Sequence, residues 1–175
     1  MAEIQTLWLV GMMGSGKSTV GPLLARRLGR RFIDTDAEVE RAVGNRVAEI
    51  FEREGEPAFR SYEREAIEAC AGEAAVVALG GGAIEPPGVR ERLAETGTVV
   101  YLRARPETLL ARVGDPDSRP LLRRLSPAGR ALRLEELLAR RREAYESASI
   151  VIDTDDLAPA AVVEQLAERI GREAR

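Results

Sequence analysis

Short apolar segments alternate with amphipathic segments along the whole chain, and this alternation limits the fold more than any other feature. Five segments have the length and composition of buried strands: 6–11 (TLWLVG), 31–33 (RFI), 74–80 (AAVVALG), 98–104 (TVVYLRA) and 149–153 (SIVID). Helical periodicity is found at 18–29, at 36–71, after Pro87, from Pro106, from Leu132 and from Pro159. Apolar strands separated by helices are typical of a parallel sheet covered on both faces. We therefore expect a three-layer α/β fold with a five-stranded parallel sheet flanked by helices.

Length and composition predict one soluble domain. A chain of 175 residues, 45% hydrophobic and 31% charged, is the size of a single domain, and we expect residues 1–175 to form one. No apolar run approaches the roughly 20 residues of a spanning helix, and the segment 1–10 lacks the basic region of a signal peptide. The sequence therefore predicts a protein with no membrane partner that is not exported.

Charge and residue usage exclude several functions. A net charge of −3 with seven aromatic residues argues against nucleic acid as a partner. The single cysteine, Cys70, has no neighbouring Cys or His with which to form a zinc site. The chain contains no histidine, so a general base must be a carboxylate, a lysine or a phenol.

Residues 11–18 (GMMGSGKS) match the phosphate-binding pattern GxxxxGK[ST] in full, directly after an apolar strand and before a helix. The glycines allow backbone N–H groups to surround a phosphate, while the lysine reaches the β- and γ-phosphates and the last serine binds Mg²⁺. Lys17 is the only lysine among 26 basic residues, as expected where a compact ammonium group is required. The residues expected to contact the nucleotide are Gly14, Ser15, Gly16, Lys17, Ser18 and Thr19.

A second segment, 114–129 (GDPDSRPLLRRLSPAG), has three prolines and no clear period. A stretch of this length without secondary structure is typical of a lid or a disordered insert, and its arginines favour a mobile lid. The GTPase motif NKxD cannot occur, because the only lysine lies in the phosphate loop. A small-molecule kinase is the class that remains.

Further motifs follow the phosphate loop in a fixed order, and together they resemble the shikimate kinases from Leu7 to about Ile170. These motifs are FIDTD (32–36), EPAFRSYE (56–63), LGGGA (79–83), SRPLL (118–122), RRREAY (140–145) and IDTDDLAP (152–159). The resemblance implies a P-loop kinase fold and transfer of the ATP γ-phosphoryl group to shikimate, with one Mg²⁺. It also implies a cytoplasmic enzyme, and we expect a monomer.

Two aspartates carry the proposed chemistry. Asp34 and Asp36 lie two residues apart at a strand end, so in an extended chain both would point to one side and share a site. By resemblance, Asp34 helps to hold Mg²⁺ together with Ser18, and Asp36 binds the substrate hydroxyls and accepts the proton of the attacking hydroxyl. The alternative is that Asp36 only caps the helix that follows it.

The remaining site residues are also assigned by resemblance. Arg60 and Arg141 correspond to a clamp on the substrate carboxylate, which a guanidinium can bind through two donors. Gly81 and Gly82 lie in a glycine turn, after Gly80, where the substrate can approach the backbone. On the nucleotide side, Arg119 is assigned to close over the phosphates, and it has a catalytic role together with Lys17 and Asp36. Arg112 and Pro159 are assigned to the adenine pocket. Helices within 36–71 would bind the substrate. Phe51 and Phe59 in this segment either pack near the substrate or belong to the hydrophobic core.

Two positions depart from the family pattern. Ala78 replaces a frequent Ser or Thr and removes a side-chain oxygen near the metal, and Glu143 replaces a frequent proline after Arg141. Two other functions stay open at this stage. A gluconate kinase would share the phosphate loop but should lack the EPAFR and LGGGA motifs, whereas a nucleotide-sensing protein without activity need not retain the catalytic set.

Overall fold

The core of the protein is a five-stranded, all-parallel sheet, which confirms the predicted fold class. In a computed structural model of the chain, residues 5–115 and 119–173 are described. The strand order is β2-β3-β1-β4-β5. The strands are β1 (Thr6–Val10), β2 (Arg31–Asp34), β3 (Ala75–Ala78), β4 (Gly97–Arg103) and β5 (Ile150–Asp153). Strand β1 is central, with Leu9 opposite Ala78 of β3 and Val100 of β4.

Helices connect the strands and cover the sheet on both faces. They are α1 (Lys17–Leu28), α2 (Thr35–Val43), α3 (Val47–Arg53), α4 (Glu56–Cys70), α5 (Val89–Thr96), α6 (Pro106–Arg112), α7 (Pro127–Glu146) and α8 (Pro159–Glu173). Within residues 5–115 and 119–173, no helix combines the length and the apolar character needed to cross a membrane.

The continuous apolar character of β1 follows from its position in the sheet. Successive side chains of a strand point to opposite faces, and both faces are covered here. Trp8 and Val10 belong to the core layer formed with α4, α5, α6 and α7. Leu7 and Leu9 belong to the other layer, formed with α1 and α8. A central strand of this kind has no polar face, which is why the period-2 pattern of a half-exposed strand is missing.

Helix α7 begins at Pro127, so the predicted start near Leu132 was wrong. The reason is a local cap: the Ser126 hydroxyl accepts a hydrogen bond from the Gly129 N–H at 3.1 Å, and Pro127 occupies the first helical position. A serine followed by a proline is typical of a loop, but the same pair is also typical of the first positions of a helix.

The predicted loop 114–129 is therefore shorter than expected. Residues 127–129 are helical, and residues 119–124 form successive turns that bury Leu122 completely. Residues 116–118, which belong to the predicted lid, lie outside the described residues.

The fold places the predicted site at one edge of the sheet. Parallel strands end at the same edge, where ligands of open α/β sheets bind. The phosphate loop follows β1, Asp34 is the last residue of β2, and the glycine turn 80–82 comes shortly after β3. Segments far apart in sequence thus meet at a single edge.

Candidate active site

The loop 11–16 joins β1 to α1 and contains backbone conformations that favour glycine. Gly14 and Gly16 have φ angles of 80° and 100°, in the left-handed region. A Cβ on Gly14 would lie 2.6 Å from the carbonyl oxygen of Leu109, so a side chain there would collide with the backbone. No side chain of the described residues caps the start of α1. Its first N–H groups are therefore available to an anion, and the helix dipole favours negative charge at that end.

Lys17 lies under this loop. Its Nζ donates hydrogen bonds to the carbonyl oxygens of Gly11 and Met12, at 2.7 and 2.9 Å. Burial lowers the pKa of Lys17 to about 8, although Asp36 and Asp34 favour the charged form. The ammonium group is thus held against the loop, in surroundings that make an added negative charge favourable.

Asp34 connects the start of α2 to the phosphate loop. One carboxylate oxygen accepts hydrogen bonds from the N–H groups of Asp36 and Ala37, which makes Asp34 the helix cap. The other oxygen lies 3.4 Å from the Ser18 hydroxyl. Two oxygen donors at the mouth of the loop fit Mg²⁺, which commonly takes one or two protein ligands together with substrate phosphates.

Asp36 lies in the first turn of α2, since the helix begins at Thr35. The chain is therefore not extended between the two aspartates, and the predicted reason for their proximity was wrong, although both side chains do line the same cavities. The alternative role for Asp36 is also excluded, because Asp34 is the cap. Burial, followed by the charge of Asp34, raises the pKa of Asp36 to about 6.

The Thr35 side chain, which sequence reasoning missed, holds the ends of β2 and β3 together. Its buried hydroxyl donates to the carbonyl oxygen of Ala78 at 3.2 Å and accepts from the N–H of Gly80 at 3.3 Å. Ala78 has no side-chain hydroxyl, and its backbone carbonyl oxygen is bonded to Thr35. A single threonine between two aspartates carries no sequence signal for this contact.

Two cavities adjoin at the carboxyl edge of the sheet. One, of about 380 Å³, contains the phosphate loop, and the other, of about 360 Å³, lies between α2, α4 and the glycine turn. Residues that line both cavities are Met13, Ser18, Asp34, Asp36, Gly80, Gly81 and Arg119. Two molecules, one bound in each cavity, would face each other across Asp36 and Arg119. Group transfer requires such an arrangement.

Arg60 projects from α4 into the second cavity and pairs with two carboxylates. It donates to Glu56 at 2.8 Å and to Glu63, whose side chain is buried. Burial raises the pKa of Glu63 to about 7, with Arg60 opposing the shift and Asp36 adding to it. In the part of the chain that the structure describes, Glu63 Oε1 has no hydrogen-bond partner, and it faces Gly80. Sequence reasoning missed Glu63, although its position three residues after Arg60 places both on one helix face.

Phe51 and Phe59 form part of the wall of this cavity. Their rings lie 4.8 Å apart in a tilted arrangement, and both line the cavity. Phe59 also packs in a small core cluster with Val39 and Ile50. The two alternatives considered from the sequence, wall and core, are therefore both true of Phe59.

Arg141 enters from α7 and is almost completely buried. Its Nε donates to Glu85 at 2.5 Å, and its Nη1 lies 3.5 Å from the sulfur of Met12. Within residues 5–115 and 119–173, its Nη2 has no hydrogen-bond partner. A Cβ on Gly82 would lie 2.9 Å from this Nη2 and would collide with Arg60 Nη2. The two guanidinium groups therefore approach the same glycine, and the lack of a side chain there gives them room.

The nucleotide side contains the remaining predicted residues. Arg119 is exposed and lines both cavities, while Thr19 and Arg112 line the cavity of the phosphate loop. Arg112 donates to the hydroxyl and the carbonyl oxygen of Thr154, at 3.0 and 2.7 Å. Pro159 lies in an adjacent recess of about 170 Å³ that Arg112 and Thr19 also line. The structure thus brings the two predicted adenine residues together.

The fold and the site define a P-loop kinase, with a phosphate loop after the central strand and a second cavity across from it. A sequence model of the family described as Shikimate kinase matches residues 13–171. The chain belongs to the shikimate kinase family and is therefore an ATP-using kinase.

Relatives and solved structures agree with this assignment. The chain is 49% identical over 164 residues to a shikimate kinase of Moorella thermoacetica, covering 93% of this chain and 92% of that protein. A shikimate kinase of Chlorobium chlorochromatii is 42% identical over 176 residues, covering 97% and 93%. The structure of Acinetobacter baumannii shikimate kinase in complex with shikimate matches with a TM-score of 0.91 and 38% identity, covering 97% of this chain and 94% of that chain. A gluconokinase of Sinorhizobium meliloti, at 19% identity and a TM-score of 0.57, shares the fold alone.

Proposed function

We propose that this protein transfers the γ-phosphoryl group of ATP to the 3-hydroxyl of shikimate, giving shikimate 3-phosphate and ADP in aromatic amino-acid biosynthesis. The observation that carries the proposal is the junction of the two cavities. One contains a phosphate loop, the other contains two arginines suited to a carboxylate, and Asp36 lies between them. An acceptor that carries both a carboxylate and a nearby hydroxyl matches this arrangement, and the membership of the family supports it.

Arg60 and Arg141 bind the substrate carboxylate from two sides of Gly82. Because Arg141 Nε is already bonded to Glu85, its free Nη2 supplies one donor and Arg60 supplies the other. This differs from the forked contact of a single guanidinium that the sequence suggested. The backbone at Gly81 and Gly82 gives the ring room to approach.

Asp36 accepts a hydrogen bond from the attacking hydroxyl and takes up its proton as the phosphoryl group moves. Its buried Oδ1, which has no hydrogen-bond partner among the described residues, is available for that contact. Lys17 and Arg119 face the phosphates and offset the charge that develops on the γ-phosphoryl group. Ser18 and Asp34 would hold Mg²⁺, which neutralises phosphate charge when it is bound with ATP. Catalysis then rests mainly on positioning and electrostatics.

The wider assignments belong to the same proposal. Residues 1–175 form one domain, in which the helices of 36–71 bind the substrate and the segment before α7, which contains Arg119, acts as the lid that brings Arg119 over the phosphates. The enzyme acts as a monomer in the cytoplasm, without nucleic-acid or membrane partners. One continuous sheet with both faces covered supports the single domain.

The test is a coupled assay of ADP release with shikimate, with gluconate and with no acceptor. We expect rapid release with shikimate, little with gluconate, and a slow background alone. Gluconate also carries a carboxylate and hydroxyls, so it is the matched competitor. Faster turnover with gluconate would identify another sugar-acid kinase, and binding of ATP without any acceptor-dependent release would identify a nucleotide-binding protein without kinase activity.

A further inference from the structure

Glu85 contacts Arg141, which lines the cavity between α2, α4 and the glycine turn, and Glu85 has no role in the chemistry described above. It follows the glycine turn, and its backbone N–H donates to the carbonyl oxygen of Gly82 at 3.1 Å. Its side chain is 23% exposed and lies between two consecutive arginines of α7. Arg140, which is largely exposed, bonds it from outside at 2.7 Å, and the buried Arg141 bonds it from inside.

Glu85 holds the Arg141 guanidinium at Nε, and the Tyr145 hydroxyl also interacts with the same guanidinium. A guanidinium has three edges, and a buried one turns to satisfy as many donors as it can. Glu85 Oε1 occupies Nε, and the Met12 sulfur lies beside Nη1. The Nη2 donor is left over, and it lies beside Gly82 with Arg60 Nη2 on the same glycine.

We propose that Glu85 is a positioning residue for substrate recognition: it holds Arg141 by Nε so that Nη2 faces the substrate carboxylate. This inference rests on the proposed function, because it assumes that the acceptor carries a carboxylate. Glu85 itself does not touch the substrate, and it acts only through Arg141. Arg140 completes the arrangement by holding Glu85 from the solvent side.

The charges around Glu85 keep its carboxylate ionised, so that it can accept the hydrogen bond from Arg141. Its burial opposes ionisation, but the hydrogen bonds and charges of Arg140 and Arg141 outweigh the burial and hold the pKa of Glu85 below its usual range. The carboxylate is therefore charged at neutral pH. Arg140 also offsets the negative charge that Glu85 would otherwise place near an anionic substrate.

Removal of Glu85 has two opposed effects, and their sizes decide the expected sign. The loss of a negative charge strengthens the attraction of the cavity for a carboxylate, but this charge is partly exposed and already neutralised by Arg140. The loss of the Nε partner leaves a buried guanidinium free to turn away from the cavity, and hydrogen bonds to charged groups are strong. We therefore expect weaker substrate binding.

The experiment compares Glu85→Ala, Glu85→Gln and the wild type in steady-state kinetics. In Glu85→Ala the KM for shikimate should rise on the order of tenfold, with kcat and the KM for ATP within about twofold of the wild type. Glu85→Gln keeps an oxygen that can accept from Nε, so its KM should rise only about threefold. The matched control is Glu143→Gln, which removes an exposed carboxylate from α7, the helix that carries Arg141, and should leave all three constants unchanged.

The methyl ester of shikimate separates positioning from a general structural role. If Glu85 acts through Arg141 on the carboxylate, the preference for shikimate over its ester should shrink in Glu85→Ala, as it should in Arg141→Lys. A structural role alone would leave that preference at the wild-type value and would overturn the inference. A fall in the KM for shikimate would also overturn it, because Glu85 would then be a competitor for Arg141. If Glu85→Ala does not fold, Glu85→Gln with the ester comparison decides the question by the same criteria.

Failure of this inference can be told apart from failure of the proposed function. A wild-type protein that does not phosphorylate shikimate would contradict the proposed function. An active wild type whose Glu85 variants keep the normal KM and the normal preference for the acid would contradict the role of Glu85 alone.

Discussion

At the scale of single residues, the half-buried Lys17 makes nucleotide affinity depend on pH. Its pKa of about 8 means that the ligand-free protein loses this charge as pH rises through that value, while bound phosphates favour the charged form. We predict that the affinity for ATP falls by no more than about twofold between pH 7 and 8 and more steeply above pH 8, by up to about tenfold per pH unit. Isothermal titration calorimetry from pH 7 to 10 measures this.

The control is Lys17→Arg, whose guanidinium stays charged over the same range. It should bind ATP more weakly than the wild type at pH 7 and show no decline, and it should have little activity. The stability of the ligand-free protein should change in the opposite direction to affinity. The unfolded lysine has a pKa of 10.5, so between about 8 and 10.5 the unfolded chain holds a proton that the folded chain has lost, and stability rises with pH there. A wild-type affinity that stays flat to pH 10 would contradict the assignment of Lys17 to the phosphates.

The two aspartates should respond differently to loss of charge. Asp36→Asn removes the proton acceptor but keeps the shape, so we predict that turnover falls by about 10²- to 10⁴-fold while ATP binding is nearly unchanged. Asp34→Asn keeps the helix cap in part but weakens the oxygen pair with Ser18, so it should raise the Mg²⁺ concentration needed for half-maximal activity. Magnesium titrations of both variants provide the measurement, and equal shifts in both would show that the two roles are not divided in this way.

The loss of activity at low pH follows from the carboxylate of Asp36. Because the pKa of Asp36 is raised to about 6, the residue gains a proton and loses its acceptor function as pH falls through that value. We predict that kcat/KM in the wild type falls below about pH 6, with a slope that Asp36→Asn lacks. A profile that stays level down to pH 4.5 would exclude Asp36 as the group that must be ionised.

The sequence predicted some site residues better than others, for physical reasons. The phosphate loop is continuous in the chain, and its backbone geometry demands glycine, so Gly14, Gly16 and Lys17 are visible as a motif. Glu63 and Glu85 matter through partners whose orientation depends on the fold. An acidic residue among 29 has no pattern of its own, and only the positions of Arg60 and Arg141 give these two a function.

At the scale of elements, the cap of α7 contributes to stability. Ser126→Ala removes the acceptor for the Gly129 N–H and should lower the free energy of unfolding by about 1 kcal/mol. The matched control is Ser147→Ala at the other end of the helix, where the exposed hydroxyl only donates to the carbonyl oxygen of Ala144. Urea denaturation of both variants gives the comparison. If both lose the same stability, the Ser126 cap contributes nothing specific.

Element boundaries were harder to predict than the elements themselves. The five strands are found where the apolar segments lie, because each is buried on a face of the sheet. The start of α7 and the conformation between Asp34 and Asp36 were missed, since each depends on one capping side-chain oxygen whose hydrogen bonds compete with other local structures. Burial acts over a whole segment and leaves a pattern, whereas a cap acts through a single atom.

At the scale of the whole molecule, the surface is consistent with a monomer. In the described part of the chain the large hydrophobic side chains that are exposed are Leu23, on α1, and Leu132, on α7. A stable dimer usually buries about 800 Å² on each partner around an apolar centre, and two isolated leucines do not form one. We predict a single species near 19.1 kDa in light scattering at micromolar concentration. A concentration-independent species of twice that mass would contradict this.

The order of the strands could not be obtained from apolar patterns, because every strand of a covered parallel sheet has the same composition. What fixes β1 at the centre is its register with both β3 and β4. The right-handed crossover rule restricts how the strands connect, but it leaves several orders open. The motifs of a known family indicate which strand order is adopted. That information comes from relatives and not from the forces within this chain.

The central position of β1 has a consequence during synthesis on the ribosome. Its two partners, Ala75–Ala78 and Gly97–Arg103, are made after it, so the loop at 11–16 has no rigid support until about a hundred residues have left the exit tunnel. Contacts between such distant segments form slowly, because long loops must close first. We therefore expect a nascent chain ending before β4 to be unable to hold ATP. The nucleotide then acts as a ligand of the completed sheet and gives no assistance to the early stages of its assembly.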